Sequence, residues 1–151
     1  MEEFKTASDI LEFAIDQEQQ AHDFYMDLAA KMAGPSMKKV FEGFAIEEMG
    51  HKMKLQSIVA GELEMSSAGS IPDLKLADYL VASEPAADMT YQDAIILAMK
   101  KEKAAYRLYL DLASAAIDEA HTELFISLAQ QEANHKLRFE LEYDNEILKE
   151  D

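Results

Sequence analysis

Two short pairs, Glu48-Met-Gly-His51 and Glu132-Ala-Asn-His135, have the spacing of metal ligands on helices, and each follows another glutamate, Glu18 or Glu102, by thirty positions. Residues three apart share one face of a helix. Two helices that each bring a glutamate, and two more that each bring a Glu-x-x-His pair, supply the ligand set of a two-metal carboxylate site in a four-helix bundle. Mixed oxygen and nitrogen ligation suits iron or manganese, with zinc also able to bind. Carboxylates can bridge two ions, whereas an imidazole serves one through a single nitrogen.

The electrostatics of that arrangement are demanding. Glu18 lies on a stripe with Leu11, Ile15, Ala21 and Tyr25, and the face of Glu48 and His51 also carries Phe41, Phe44 and Leu55. Carboxylates on faces otherwise apolar are unfavourable unless paired or metallated. Four of them carry −4, two neutral histidines cancel none of it, and two divalent cations supply +4.

An internal repeat sets the register. At an offset of 84, Glu18, Ala21, Tyr25, Asp27, Leu28 and Ala29 meet Glu102, Ala105, Tyr109, Asp111, Leu112 and Ala113; Phe41, Ala45, Glu48, His51 and Lys52 meet Phe125, Ala129, Glu132, His135 and Lys136. These are 11 identities in the 35 positions from Glu18 to Lys52. Two copies imply pseudo-two-fold symmetry rather than a solenoid. The repeat also chooses between Glu47 and Glu48, either of which could pair with His51. The mate of Glu47 is Gln131, a poor ligand, so Glu48 is assigned to the interior and Glu47 to a solvated or supporting role. Tyr25 and Tyr109, two turns beyond Glu18 and Glu102, can hydrogen-bond ligand carboxylates across the bundle and orient them. His22 has Tyr106 as its mate, which argues against a ligand role, and His121 falls near a turn. The nine methionines, spread over apolar helical positions, read as core filler.

The elements that must carry these residues are helices. A first is expected from Ser8, as cap, to Ala33; a second from Pro35 or Ser36 to about Ala60, ending at Gly61; a third from Thr90, with Asp93 in an imperfect capping box, to Ala116; and a fourth, after a turn at Ile117-Asp118, to about Lys149. Between Gly61 and Met89, Ser66-Ser-Ala-Gly-Ser, Ile71-Pro72 and Glu84-Pro85 signal a long crossover, in which Asp73 to Ala82 can form a short helix. The arms from Glu18 to Gly34 and from Gly34 to Glu48 are roughly 24 and 21 Å. Antiparallel helices therefore bring the two carboxylates to nearly equal depth, and the same count holds for Glu102 and Glu132.

Length and composition narrow the class. The chain has 151 residues, 49% of them hydrophobic, with few Gly and Pro, which fits one helical domain spanning 1–151. The absence of cysteine excludes disulfides, thiolate metal sites and thiol catalysis. A net charge of −16 disfavours nucleic acid and anionic membranes as partners. No signal peptide or spanning segment is legible, so a cytoplasmic location is expected.

Together, Glu18-x-x-Ala21-x-x-x-Tyr25, Glu48-x-x-His51, Glu102-x-x-Ala105-x-x-x-Tyr109 and Glu132-x-x-His135 resemble the rubrerythrin branch of the ferritin-like superfamily, over nearly the whole chain outside the crossover. The resemblance implies an all-α, ferritin-like antiparallel four-helix bundle with two iron ions. It implies that Glu18, Glu48 and His51 serve one ion and Glu102, Glu132 and His135 the other, with Glu48 and Glu132 as bridges. It also implies a homodimer. Where peroxide-reducing rubrerythrins carry a further carboxylate one turn after the third-helix glutamate, this chain has Ala105. It shows no four-cysteine rubredoxin-like domain, so an external electron-donor protein is expected. No fifth helix follows the fourth, so a storage shell is not.

Three readings follow: a di-iron oxidoreductase acting on hydrogen peroxide or dioxygen; an iron-binding, ferroxidase-like module that buffers ferrous ion with little turnover; and a structural bundle in which the ligand residues persist without metal.

Overall fold

The computed structural model describes residues 7–32, 34–58 and 90–150, with side chains to residue 145. They form four helices: α1 (Ala7–Ala30), α2 (Pro35–Gln56), α3 (Tyr91–Ala115) and α4 (Glu119–Glu150). There is no strand among the described residues, and no described helix is long and apolar enough to cross a membrane. The expected crossover helix, Asp73–Ala82, lies outside the described residues.

Local chemistry sets the helix ends. Helix α1 begins one residue before the expected cap, so Ser8 sits inside its first turn. At its other end Lys31 and Met32 donate to Leu28 and Ala29, three residues back. This tightening is common where a helix runs out of partners. Gly34 is extended, as a residue before proline prefers to be, and Pro35 opens α2. Helix α2 closes at Gln56, short of the expected Ala60. The Ser57 amide donates to Met53 and Lys54, and its hydroxyl turns back onto the Lys54 carbonyl. That side-chain bond competes with continuation of the helix. Thr90 caps α3 as expected, its hydroxyl accepting from the Asp93 amide at 3.1 Å. Asp118 opens α4, accepting the Ala120 amide at 2.8 Å. Thr90→Ala should lower the unfolding free energy by about 1 kcal/mol, read from urea unfolding midpoints, because the α3 donor then loses its partner.

The apolar side chains form two clusters. One contains Ile10, Leu11 and Ala14 of α1, Leu55 of α2, Leu108, Tyr109 and Leu112 of α3, and Phe125, Leu128 and Ala129 of α4. The other contains Phe24, Tyr25 and Leu28 of α1, Phe41 and Ala45 of α2, Ala94, Ile95, Leu97 and Ala98 of α3, and Phe139 of α4. Each helix thus contributes its first half to one cluster and its second half to the other. This fixes α1 and α2 as one antiparallel hairpin and α3 and α4 as a second. It also places the end of α2 and the start of α3 at opposite ends of the bundle.

Between the clusters every helix has a gap at mid-height. In α1 it falls between Ala14 and Phe24, in α2 between Ala45 and Leu55, in α3 between Ala98 and Leu108, and in α4 between Ala129 and Phe139. The six residues singled out by spacing occupy these gaps.

Candidate metal centre

Glu18, Glu48, His51, Glu102, Glu132 and His135 are each at most 3% exposed, and they are the only buried polar or charged residues among those described. Helix periodicity explains how they get there. Glu18 continues the inward row of Leu11, Ala14 and Tyr25, and Glu102 that of Ile95, Ala98 and Tyr109. Glu48 and His51 share the face of Phe41, Ala45 and Leu55, and Glu132 and His135 repeat this on α4 with Phe125, Ala129 and Phe139.

Their ligating atoms converge in two overlapping groups. One oxygen or nitrogen from each of Glu18, Glu48, His51 and Glu132 lies within 4.8 Å of the others, and so do atoms of Glu48, Glu102, Glu132 and His135. Glu48 and Glu132 belong to both groups. His51 Nδ1 stands 2.7 Å from Glu132 Oε1, 3.6 Å from Glu18 Oε2 and 3.7 Å from Glu48 Oε1. His135 Nδ1 stands 3.0 Å from Glu48 Oε1 and 3.6 Å from Glu102 Oε1. The two rings are nearly parallel, with centroids 6.3 Å apart.

For four of the six residues the surrounding bonds engage the atom turned away from the centre. Tyr25 donates to Glu102 Oε1 and Tyr109 to Glu18 Oε1, so each phenol crosses from one hairpin to the other. The outer nitrogens of the imidazoles are engaged too: His51 Nε2 meets Gln131 Oε1 at 2.5 Å, and His135 Nε2 meets Glu47 Oε2 at 2.5 Å. What remains is one buried atom per residue without an aligned hydrogen-bond partner: Glu18 Oε2, Glu48 Oε1, His51 Nδ1, Glu102 Oε2, Glu132 Oε1 and His135 Nδ1. Short approaches such as His51 Nδ1 to Glu132 Oε1 are close enough for a bond but misaligned for one. Buried polar atoms are ordinarily satisfied, so six orphans aimed at one centre fit a pair of divalent cations.

The titration behaviour of the metal-free protein agrees. Burial, then the charges of Glu102 and Glu18, pushes Glu48 well above its usual carboxylate value. Burial, then Glu102, Glu48 and Glu18, does the same to Glu132. Burial also acts against the charged form of Glu102, but the adjoining Glu132 and His135 and the Tyr25 hydroxyl outweigh it and hold that carboxylate below its usual value. Burial opposes a charge on His135 as well, yet the adjacent Glu102 and Glu48 carboxylates prevail and raise it from 6.5 to about 11. Without cations Glu48, Glu132 and His135 thus hold their protons more firmly than free side chains do. Burial first, and the neighbouring glutamates after it, pushes the Tyr25 and Tyr109 phenols well above their usual value, so both remain donors.

A cavity reaches the cluster between α1 and α3. Helices α1 and α3 touch only sparsely. Between them a cavity of about 70 Å³, lined by Phe13, Gln17, Ala21, Lys101, Ala105 and Leu108, reaches Glu18, Glu48, Glu102 and Glu132. Ala21 and Ala105 are repeat mates, each three residues after its glutamate, and their small side chains keep this seam open.

Of the other residues weighed in the sequence, His22 turns to the exposed Asp23, 3.0 Å away, outside the cluster. The supporting contact of Gln131 was not foreseen. Its signal was the repeat itself, which places Glu47 and Gln131 at one equivalent position, four residues before each histidine.

The rubrerythrin family model matches residues 9–143. Among solved structures, a Thermotoga maritima protein described as ferritin-like diiron-carboxylate is similar with a TM-score of 0.77 and 22% identity, over 95% of this chain and 98% of that one. A hypothetical protein from Pyrococcus furiosus is similar with a TM-score of 0.69 and 25% identity, over 92% of this chain and 89% of that one. No curated protein matches the chain at comparable significance. With a ferritin-like bundle, a buried Glu/His cluster at its centre and a match across most of its length, the chain belongs to the rubrerythrin family.

Proposed function

We propose that this protein is a non-haem di-iron oxidoreductase that acts on hydrogen peroxide or dioxygen. The observation that carries the reading is the set of six orphaned buried atoms, one from each predicted ligand, converging beside a cavity that opens between α1 and α3. Glu18, Glu48, His51 and Glu132 would hold one ion, and Glu102, Glu132, Glu48 and His135 the other, with Glu48 and Glu132 shared. Bound iron supplies one-electron chemistry to a small oxidant.

The protein's own part is positioning and exclusion. Tyr25 and Tyr109 fix the outer oxygens of Glu102 and Glu18, leaving the inner ones directed at the centre. The apolar clusters above and below keep bulk water out of the layer. The cavity has room for a few water-sized molecules, which suits peroxide or dioxygen and excludes a bulky substrate. Reduction of hydrogen peroxide to two waters consumes two electrons and two protons. These 151 residues hold no cysteine and so no thiolate redox centre, which supports a separate donor protein as the source of the electrons.

The test uses protein loaded anaerobically with two equivalents of ferrous ion and mixed with hydrogen peroxide while near-ultraviolet ferric absorption is followed. Rapid stoichiometric oxidation that recurs after each chemical re-reduction is expected. Slow oxidation without repeated turnover would replace this reading with ferrous-ion buffering. Failure to bind metal would leave a purely structural bundle.

A further inference from the structure

The six ligand residues obey the internal repeat, but the groups behind the imidazoles do not. His135 Nε2 meets a carboxylate, Glu47 Oε2, and His51 Nε2 meets an amide oxygen, Gln131 Oε1, each at 2.5 Å. Both contacts cross between α2 and α4, and both partners occupy the same repeat position. The identity of the Gln131 acceptor follows from its surroundings, since its amide nitrogen faces Ser127 Oγ at 3.4 Å and its oxygen is thereby left to His51. The repeat mate of Ser127 is Gly43, which has no side chain to offer Glu47. A second asymmetry reinforces the first. Phe44 stacks on the His135 ring with centroids 4.2 Å apart, whereas its repeat mate is the aliphatic Leu128.

A ring whose Nε2–H donates to an anion is the more electron-rich donor at Nδ1, and carboxylate partners of this kind change metal affinity by about 10- to 100-fold. An amide oxygen orients the ring as well but carries no charge. Glu47 is half-exposed, so solvent screens its long-range field, but the direct contact to a buried ring remains.

We infer that Glu47 and Gln131 make the two metal positions unequal, the one beside His135 binding its cation more tightly than the one beside His51. The inference rests on the di-metal reading above. Glu47 and Gln131 are positioning residues that act through the histidines, and the near-symmetric ligand shell leaves the ranking of the two positions to them.

The test is calorimetric titration of the metal-free protein with cobalt(II), with visible absorption reporting coordination. The wild-type protein should fill in two resolved steps. Glu47→Gln, which places an amide behind both rings, should weaken the first step by about 10- to 100-fold and merge it with the second. Gln131→Glu should instead tighten the second step towards the first. Helical circular dichroism should be unchanged in both variants, since neither position is fully buried. A single wild-type step, an equal loss in both steps for Glu47→Gln, or an unmoved second step in Gln131→Glu would overturn the inference and leave the di-metal reading intact. No cobalt binding at all would overturn that reading itself.

Discussion

Glu132→Gln is expected to strip both cations from the protein while raising the stability of its metal-free form. Glu132 is 1% exposed and belongs to both ligand groups, so its loss damages two positions at once, and metal content should fall from two equivalents to well under one. The stabilisation has a separate origin. Without cations the carboxyl is held well above its usual value, first by burial and then by Glu102, Glu48 and Glu18, so its charged form is a liability that the isosteric amide removes. The amide removes that cost of proton uptake, and a gain of about 1–2 kcal/mol at neutral pH is expected. Metal analysis and thermal unfolding of the same sample separate the two effects. The register is tested by a companion series: Glu48→Ala and His135→Ala should lose more metal than Glu47→Ala, and equal loss from all three would mean the wrong glutamate was placed inside.

Removing the cations should also reverse the dependence of stability on pH. In the metal-free protein Glu48 and Glu132 titrate well above 4.5, and His135 is raised from 6.5 to about 11. Above about pH 4.5 the native state therefore holds more protons than the unfolded chain, and stability falls as pH rises. The His135 part of that loss extends from 6.5 towards 11. Glu102 has the opposite sign: its lowered value contributes stability above 4.5 that is lost in acid. The metal-free protein should therefore be most stable in mildly acidic solution. Cations must displace these protons, so the loaded protein should gain stability as pH rises. With manganese(II) at about 100 times Kd, each of two sites adds about 2.7 kcal/mol, which for a chain of this length corresponds to a rise of roughly 10–20 °C in melting temperature at neutral pH. Melting curves between about pH 5 and pH 9, with and without manganese(II), should diverge with increasing pH; parallel curves would show that the cluster does not exchange protons for metal.

Much of this centre could be read from residue order because its information is local and duplicated. Glu-x-x-His fixes a face, the thirty-residue arm fixes a height, and the 84-residue repeat chooses Glu48 over Glu47. Tyr25 and Tyr109 could be nominated because seven residues return to the same helix face. Three features were less accessible. The partners of His51 and His135 lie on the opposite helix, and whether Glu47 reached solvent or a ring depends on how α2 and α4 pack. The seam between α1 and α3 arises where two alanines face one another, and no single-helix pattern contains that juxtaposition. The end of α2 at Gln56 rather than Ala60 depends on a serine hydroxyl turning back on its own helix, a choice that propensity leaves open.

The division of the apolar interior into two halves has a dynamic consequence. Each half draws side chains from all four helices, so no helix can swing away without opening both. The acidic layer is clamped from above and below. A site held in this way would change shape little when the charge at its centre changes, and under the di-iron reading proposed above that would keep the reorganisation energy low. Glutamate carboxylates, which can rotate about their own terminal bonds inside such a frame, are then the parts that move while the scaffold stays still.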